Sequence, residues 1–216
     1  MLDRPIIAVA SLGDGLGEDV LFELWRVLAS AFDAEIITVP GIPLPSSAYD
    51  RTRHQYHSTP ILRQLIRVKP RHAERLLGVA DVDLYVPELN FVFGEADANR
   101  GVAVVSLARL HTDGSDPRAR ALFLKRTATE AIHELGHTYR LDHCANPRCV
   151  MWFSNTLAET DRKGLALCAD HASQLARGRS RAKSHEPDRR LPADGAANVR
   201  GRARSARAGV GDDRGP

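Results

Sequence analysis

Three histidines and one glutamate lie close together in the segment HELGHTYRLDH, residues 133–143. His133 and His137 are four residues apart, so on a helix they lie on one face about one turn, or roughly 6 Å, from each other. Two neutral imidazoles in this arrangement can occupy two corners of a zinc tetrahedron. Glu134 follows the first histidine, where its carboxylate can reach a metal-bound water without binding the metal. About 0.02 His-Glu-x-x-His matches are expected by chance in such a chain, so the segment predicts a zinc site.

His143 can supply a third ligand only if the chain turns. It lies six residues after His137, which is about 240° around a continuing helix and therefore on the far side. For the three histidines to meet, the helix must end near residues 139–140. Helices commonly end with one residue at positive φ. We therefore predict that Arg140 has a positive φ, with its side chain in solvent or paired with an acid.

All three cysteines of the chain follow this segment within 25 residues. Cys144 and Cys149 form a C-x4-C pair, and Cys168 and His171 form a C-x2-H pair. Together these four residues make a credible closed Cys3His zinc site. The alternative is that three small thiols are simply buried, beside an unrelated surface histidine.

Met151 is the only methionine after the first residue. An isolated methionine usually fills a gap in a core, but one that lies just after three histidines can form a methionine-bearing turn beneath a metal. The combined pattern, HExxHxxxxxHC-x4-C-x-M followed by FSN and C-x2-H, resembles the archaemetzincins, a branch of the metzincin zinc peptidases. Two upstream segments, RHQYHSTPILRQL and GVADVDLYVPELNFVFGEA, are similar to the same family. The likeness covers about residues 5–172.

The resemblance implies a single metzincin-like α/β domain, with a mixed twisted sheet, packed helices, an active-site helix and a short zinc-stapled C-terminal part. It also implies two zinc ions per chain, one catalytic and one structural, and a peptide or protein substrate. The implied ligands are His133, His137 and His143 for the catalytic zinc, and Cys144, Cys149, Cys168 and His171 for the structural zinc. Glu134 would be the general base, and Met151 would form the Met-turn. The chain departs from the family pattern at Arg140, where glycine is usual, and at His171, where cysteine is usual.

The elements that must position these residues alternate between strands and helices. Short apolar runs predict strands at residues 5–10, 35–39, 82–86 and 102–107. Apolar spacing, hydroxyl caps and prolines predict helices over residues 18–32, from Ser58 to Pro70, and from Asp116 to about Tyr139. Residues 90–101 are interpreted as a glycine-containing connection. This alternation predicts an α/β layered domain with a mixed sheet.

Charge separates the end of the chain from the rest. The net charge of the whole chain is +3, but residues 177–216 hold 11 Lys or Arg and 5 Asp or Glu, which leaves residues 1–176 at −3. The same 40 residues contain no aromatic side chain and six glycines. Such a segment cannot bury enough apolar surface to offset its ordering entropy. We therefore predict a peptidase-like domain over 1–176 and a disordered basic tail over 177–216.

Composition also bears on the location of the protein. Apolar residues make up 43% of the chain and charged residues 26%, as in ordinary soluble proteins. The segment MLDRPIIAVASLG is acidic where a signal peptide would be basic, and no run of 18 apolar residues occurs. The three cysteines, an odd number, are typical of a reducing compartment. The expected location is the cytoplasm, without a membrane partner.

The favoured function is hydrolysis of peptide bonds by a zinc-activated water, with Glu134 as the base. The leading alternative is a zinc-stabilised peptide-binding protein with little or no turnover, but a pure binder has no use for a base beside the metal. A second alternative is nucleic-acid binding through the basic tail. We do not favour it, because the tail has no aromatic residues among its basic ones. The sequence leaves the oligomeric state open.

Overall fold

A computed structural model of the chain describes residues 4–184, and in this part it has eight strands and five α-helices. The strands are β1 (Ile6–Leu12), β2 (Glu35–Thr38), β3 (Tyr49–Asp50), β4 (Gln55–His57), β5 (Arg75–Ala80), β6 (Leu84–Tyr85), β7 (Gly94–Asp97) and β8 (Val102–Ser106). The helices are α1 (Glu18–Phe32), α2 (Ser58–Val68), α3 (Pro117–Thr138), α4 (Leu157–Arg162) and α5 (Ala169–Ser184). Strands and helices alternate over most of this length, which confirms the predicted α/β class.

Five of the strands form one mixed sheet in the order β2-β1-β5-β8-β7. The first four are parallel, and β7 pairs antiparallel with β8 at the edge, where Gly94 lies opposite Val105. All of β8 and nearly all of β5 are buried, as is typical of parallel strands that are covered on both faces. The short strands β3, β4 and β6 form a separate small sheet.

Helices cover both faces of the large sheet and so create two cores. Successive side chains of a strand point to opposite faces. On one face, Ile7, Leu77 and Val105 pack with α1 and α3. On the other face, Ala8 and Val104 pack with α2. The first of these cores fixes α3, the helix that carries the His-Glu-x-x-His segment, against the strands.

Two strands of the large sheet are absent from the sequence predictions. β5 contains Gly78, which weakens its strand signal, but an added Cβ there would lie 2.8 Å from a methyl group of Leu65 on α2. The glycine therefore allows α2 to approach the sheet closely. β7 lies within the predicted connection 90–101, and pairing with β8 overrides the low strand propensity of its sequence, GEAD. The predicted strand at 82–86 is reduced to β6 of the small sheet.

Helix α3 begins and ends where the sequence predicts. The Asp116 carboxylate accepts hydrogen bonds from the backbone N–H groups of Arg118 and Ala119 at 2.8 and 2.9 Å, and Pro117 occupies the first turn. This is an N-terminal cap in which proline costs no hydrogen bond. The helix is capped at its other end by Tyr139.

The last helix, α5, passes the predicted domain boundary at residue 176 and continues to Ser184. In this extension the Arg179 guanidinium lies over the ring of Tyr139, 5.2 Å from its centre, a contact with a distant residue that composition does not reveal. The rest of the predicted basic tail, residues 185–216, lies outside the described residues. No helix within residues 4–184 is both long enough and apolar enough to cross a membrane.

Candidate active site

The chain reverses direction after α3 through a left-handed residue, as predicted. Arg140 has a φ of 63°. Its N–H donates to the carbonyl of His137 at 2.9 Å, and the N–H of Leu141 donates to the carbonyl of Gly136 at 3.2 Å. This pair of bonds is the Schellman arrangement that ends many helices. The Arg140 side chain is exposed and donates to the amide oxygen of Asn99 at 2.6 Å, where we expected solvent or an acid.

This turn brings His143 back to the two histidines of α3. The ring nitrogens of the three residues lie within 4.8 Å of one another, so the group could hold a metal ion. The ring centres of His133 and His137 are 4.6 Å apart, and those of His137 and His143 are 4.8 Å apart. His133 is buried, His137 is half-buried and His143 is exposed. The cluster is therefore supported from behind by α3 and open on the side of His143.

Two backbone carbonyls set the tautomers of the helical histidines. Nδ1 of His133 donates to the carbonyl of Val150 at 2.9 Å, and Nδ1 of His137 donates to the carbonyl of Leu141 at 2.8 Å. A carbonyl can only accept, so in the neutral rings the proton is on Nδ1 and Nε2 carries a lone pair. The two Nε2 atoms are 3.1 Å apart. Two lone pairs that face each other at this distance fit a shared cation.

Burial keeps these imidazoles neutral. It lowers the pKa of His133 well below its ordinary value, and the nearby Lys163 ammonium acts in the same direction. Burial also lowers the pKa of His137. His143 is exposed on its outer side, but desolvation by the atoms around it lowers its pKa to about 4, and the neighbouring His137 acts in the same direction. Neutral imidazole is the form that binds zinc, so the donor set is ready for a metal at neutral pH.

Glu134 lies between α3 and the edge strand β7. Burial raises the pKa of its carboxyl well above the ordinary value, and the charge of Glu130 adds to this effect. The opposing residue of β7 is Gly94, where an added Cβ would lie 2.5 Å from both Glu134 Cγ and the Val104 carbonyl oxygen. The missing side chain of Gly94 therefore makes the space that the carboxylate side chain occupies.

A second group that could hold a metal ion lies directly after the first in the chain. It consists of four residues, Cys144, Cys149, Cys168 and His171. The sulfurs of Cys144 and Cys168 are 3.9 Å apart, and Nδ1 of His171 lies 3.2 Å from the Cys168 sulfur and 3.8 Å from the Cys149 sulfur. A tetrahedral zinc with bonds of about 2.3 Å would separate two sulfurs by about 3.8 Å. The four donors thus have the spacing of a closed tetrahedral site.

Met151 lies beneath the histidine-bearing turn of α3. Its side chain is fully buried, and its carbonyl accepts a hydrogen bond from the N–H of Cys144 at 2.9 Å. An added Cβ on Gly136 would collide with the Met151 sulfur. In the sequence, this close approach could have been predicted from the glycine inside the His-Glu-Leu-Gly-His segment. Beyond the turn, the ring centre of Phe153 lies 4.7 Å from that of His143.

A buried ion pair behind the cluster is absent from the sequence predictions. The side chains of Glu130 and Lys163 are 2% and 0% exposed, and Lys163 Nζ lies 3.2 Å from Glu130 Oε1. The Thr160 hydroxyl donates to the same oxygen at 3.0 Å. The sequence feature that could have indicated this pair is Glu130, a second glutamate one helical turn before Glu134. The pair attaches the end of α4 to α3 just behind the His-Glu-x-x-His segment.

The two histidines of the RHQYH segment belong to neither group. His57 stacks on Tyr85, with ring centres 5.3 Å apart, and His54 Nδ1 lies 3.3 Å from the hydroxyl of Tyr49. The ligand-like spacing of these histidines therefore does not bring them to a metal group within the described residues.

Comparison with known proteins places this geometry in one family. The model of peptidase family M54 matches residues 32–177. The chain is 40% identical over 148 residues to an archaemetzincin from Archaeoglobus fulgidus, an alignment that spans 68% of this chain and 86% of the relative. It is 37% identical over 179 residues to an archaemetzincin from Pyrococcus furiosus, with 80% and 93% covered.

Solved structures agree with the sequence relatives. The crystal structure of an archaemetzincin from Methanopyrus kandleri superposes with a TM-score of 0.72 at 34% identity, covering 82% of this chain and 96% of that one. The Archaeoglobus fulgidus archaemetzincin, complexed with malonate, superposes with a TM-score of 0.67 at 36% identity, covering 78% and 99%. The fold is thus the metzincin-like one that the sequence motifs imply. The chain belongs to peptidase family M54, the archaemetzincins, and is a zinc metallopeptidase.

Proposed function

We propose that this protein hydrolyses peptide bonds with a zinc-activated water, and that Glu134 is the general base. The observation that carries the proposal is the pair of unprotonated Nε2 atoms on His133 and His137, 3.1 Å apart, with His143 beside them. Without a cation, lone pairs so placed repel each other. With His143 they would hold a zinc ion through three protein ligands, the number typical of catalytic zinc sites.

The chemistry then divides between the metal and the chain. Zinc held by His133, His137 and His143 would supply a Lewis acid and would lower the pKa of a bound water from 15.7 toward about 7. Glu134 takes the proton from the attacking water and delivers it to the leaving amine. Burial, which raises the pKa of this carboxyl, favours its uptake of the proton.

The edge strand β7 indicates how a substrate is held. β7 is the last strand of the sheet, and its Gly94 lies against Glu134. We infer that an extended peptide adds to the outer side of β7 by backbone hydrogen bonds, which would bring its scissile bond alongside the base. Peptide or protein substrates are what membership of a peptidase family implies.

The proposed function includes a second metal site, formed by the Cys3His group. Cys144, Cys149, Cys168 and His171 would hold a structural zinc, because four protein donors at tetrahedral spacing leave no position for water. Met151 would be the Met-turn residue beneath the catalytic metal. The chain would therefore hold two zinc ions. The cytoplasmic location stays a prediction from the sequence.

The test is hydrolysis of a mixed peptide library by the zinc-loaded full chain. Glu134→Gln should lower kcat/KM by about 10²–10⁴-fold, the usual contribution of a general base, while its zinc content stays that of the unmodified protein. Chelation should abolish hydrolysis, and added zinc should restore it. Zinc-loaded protein that binds peptides without cleaving them would favour the peptide-binding alternative, and an equally active Glu134→Gln variant would show that Glu134 is not the general base.

A further inference from the structure

His171 links the Cys3His group to the peptide bond before His143 through its two ring nitrogens. Nδ1 faces the sulfurs of Cys168 and Cys149, and Nε2 lies 3.1 Å from the backbone carbonyl oxygen of Asp142. Because the carbonyl can only accept, Nε2 carries the proton and Nδ1 has the lone pair that a metal needs. A cysteine at this position would supply a metal ligand but no second hydrogen bond.

The carbonyl of Asp142 belongs to the peptide bond that leads into His143. His133, His137 and His143 are called the open group here, and the Cys3His residues the closed group. Of the three histidines in the open group, His143 is the one outside α3 and the one that is exposed. His133 and His137 each donate through Nδ1 to a carbonyl. Within residues 4–184, the His143 ring has contacts with other rings instead. Besides these ring contacts, the main chain before His143 sets the position of its ring, and His171 donates a hydrogen bond to the carbonyl of that peptide bond.

A second hydrogen bond links the groups in the opposite direction. His133 of the open group donates to the carbonyl of Val150, the residue that follows Cys149 of the closed group. In addition, His143 and Cys144 are neighbours in the chain. Two short pieces of backbone therefore connect the two groups.

We propose that His171 is a positioning residue that couples the two zinc sites, with its Nδ1 on the metal of the Cys3His group and its Nε2–H on the peptide bond before His143. The proposal rests on the proposed function, because both groups must hold zinc. Filling the Cys3His group fixes the imidazole and so fixes the third ligand of the catalytic zinc. By linkage, zinc in either group should raise the affinity of the other by the same factor.

The experiment compares the unmodified chain with His171→Cys. This variant keeps four protein ligands in the closed group, now four thiolates, but removes the hydrogen bond to Asp142. Zinc affinity of the three-histidine site, measured by competition with a series of chelators, should fall about tenfold, the low end of what loss of a supporting hydrogen bond costs a metal site. Substituted cobalt should show thiolate charge-transfer bands from a filled second site in both proteins.

Ser173→Cys is the matched control. It places a thiol on an exposed position of the same helix and leaves His171 intact, so the affinity of the three-histidine site should not change. Equal affinity in the unmodified chain and His171→Cys, with the second site filled in both, would overturn the proposal. A tenfold loss in the Ser173→Cys control as well would also overturn it, because the loss would then come from the added thiol.

A measurement on the unmodified protein covers the case in which His171→Cys does not fold. The Nε2 proton of His171 should appear in the NMR spectrum of the zinc-loaded protein as a slowly exchanging imidazole signal. A His171 ring that is bound to metal through Nε2, or whose proton exchanges as fast as that of a free imidazole, would contradict the coupling. Neither result would touch the proposed function, which is tested separately by zinc content and by Glu134-dependent hydrolysis.

Discussion

The two metal groups meet at the peptide bond between His143 and Cys144, yet they are built in opposite ways. The three-histidine group takes two ligands from one rigid helix and a third, exposed one from the turn that follows. The Cys3His group takes ligands from a loop and from the start of α5, and two of its four residues are buried. Three ligands with an open side suit chemistry on a water molecule, whereas four ligands that close the site suit stability. We infer that one short segment can serve both catalysis and stability because each group helps to hold the other in position.

The largest expected effect is the loss of the closed group. Cys149→Ser should remove the structural zinc and with it the zinc of the three-histidine group, because the loop that carries Val150 is no longer held. Structural zinc sites are worth on the order of 10 kcal/mol, so the C-terminal part should unfold. His133→Ala should instead lose only the catalytic zinc and keep its fold. Elemental analysis and circular dichroism measure both. If both variants retain one zinc ion, the zinc content does not depend on these ligands in the way described, and the assignment of ligands is wrong.

The next effect concerns the ion pair behind the open group. Lys163→Met should lower the free energy of unfolding by about 3–5 kcal/mol, because it leaves the buried Glu130 carboxylate without its partner. The double variant Lys163→Met with Glu130→Met should recover most of this loss, since two packed apolar side chains can replace a buried pair. Urea denaturation of the four proteins of this cycle is the measurement. A double variant as unstable as the sum of the two single ones would show that the residues act independently.

A smaller effect is expected when the space beside Glu134 is filled, and it should be confined to the open group. Gly94→Ala places a methyl group 2.5 Å from both Glu134 Cγ and the carbonyl of Val104, so the carboxylate must move. Misplacement of a catalytic group by about 1 Å can cost about 100-fold in rate, and we expect a fall in kcat of that order with both zinc ions kept. Ala96→Gly, two residues further along the same strand, is the control for a general effect on β7. Equal losses of kcat in both variants would mean that the strand, rather than the base, was disturbed.

The sequence predicts the open group in more detail than the sheet beside it. Ligand spacing, the helix start at Asp116 and the positive φ of Arg140 are local consequences of short segments, and the structure has the helix start and the turn as predicted. β5 depends on partners that are distant in the chain, and β7 on pairing with β8 despite the low strand propensity of its own sequence, so local patterns do not reveal them. The same is true of the Glu130–Lys163 pair and of the bond from His171 to Asp142. Each joins residues that are more than 25 positions apart.

The smallest effect is expected at the turn that joins the two groups. Arginine at positive φ costs roughly 1–2 kcal/mol, and glycine would relieve this strain. Against that, glycine gives the unfolded chain about 0.4–1 kcal/mol more entropy to lose. Arg140→Gly also removes the hydrogen bond to Asn99, which is exposed and so contributes little. The terms nearly cancel, so the free energy of unfolding should change by less than about 1 kcal/mol, and both zinc ions and kcat should be retained.

Arg140→Val tests the explanation: a β-branched residue is strained further at positive φ, so this variant should be less stable and should bind the catalytic zinc more weakly. If glycine and valine behave alike in urea denaturation and in chelator competition, the left-handed turn is not what holds His143 in place.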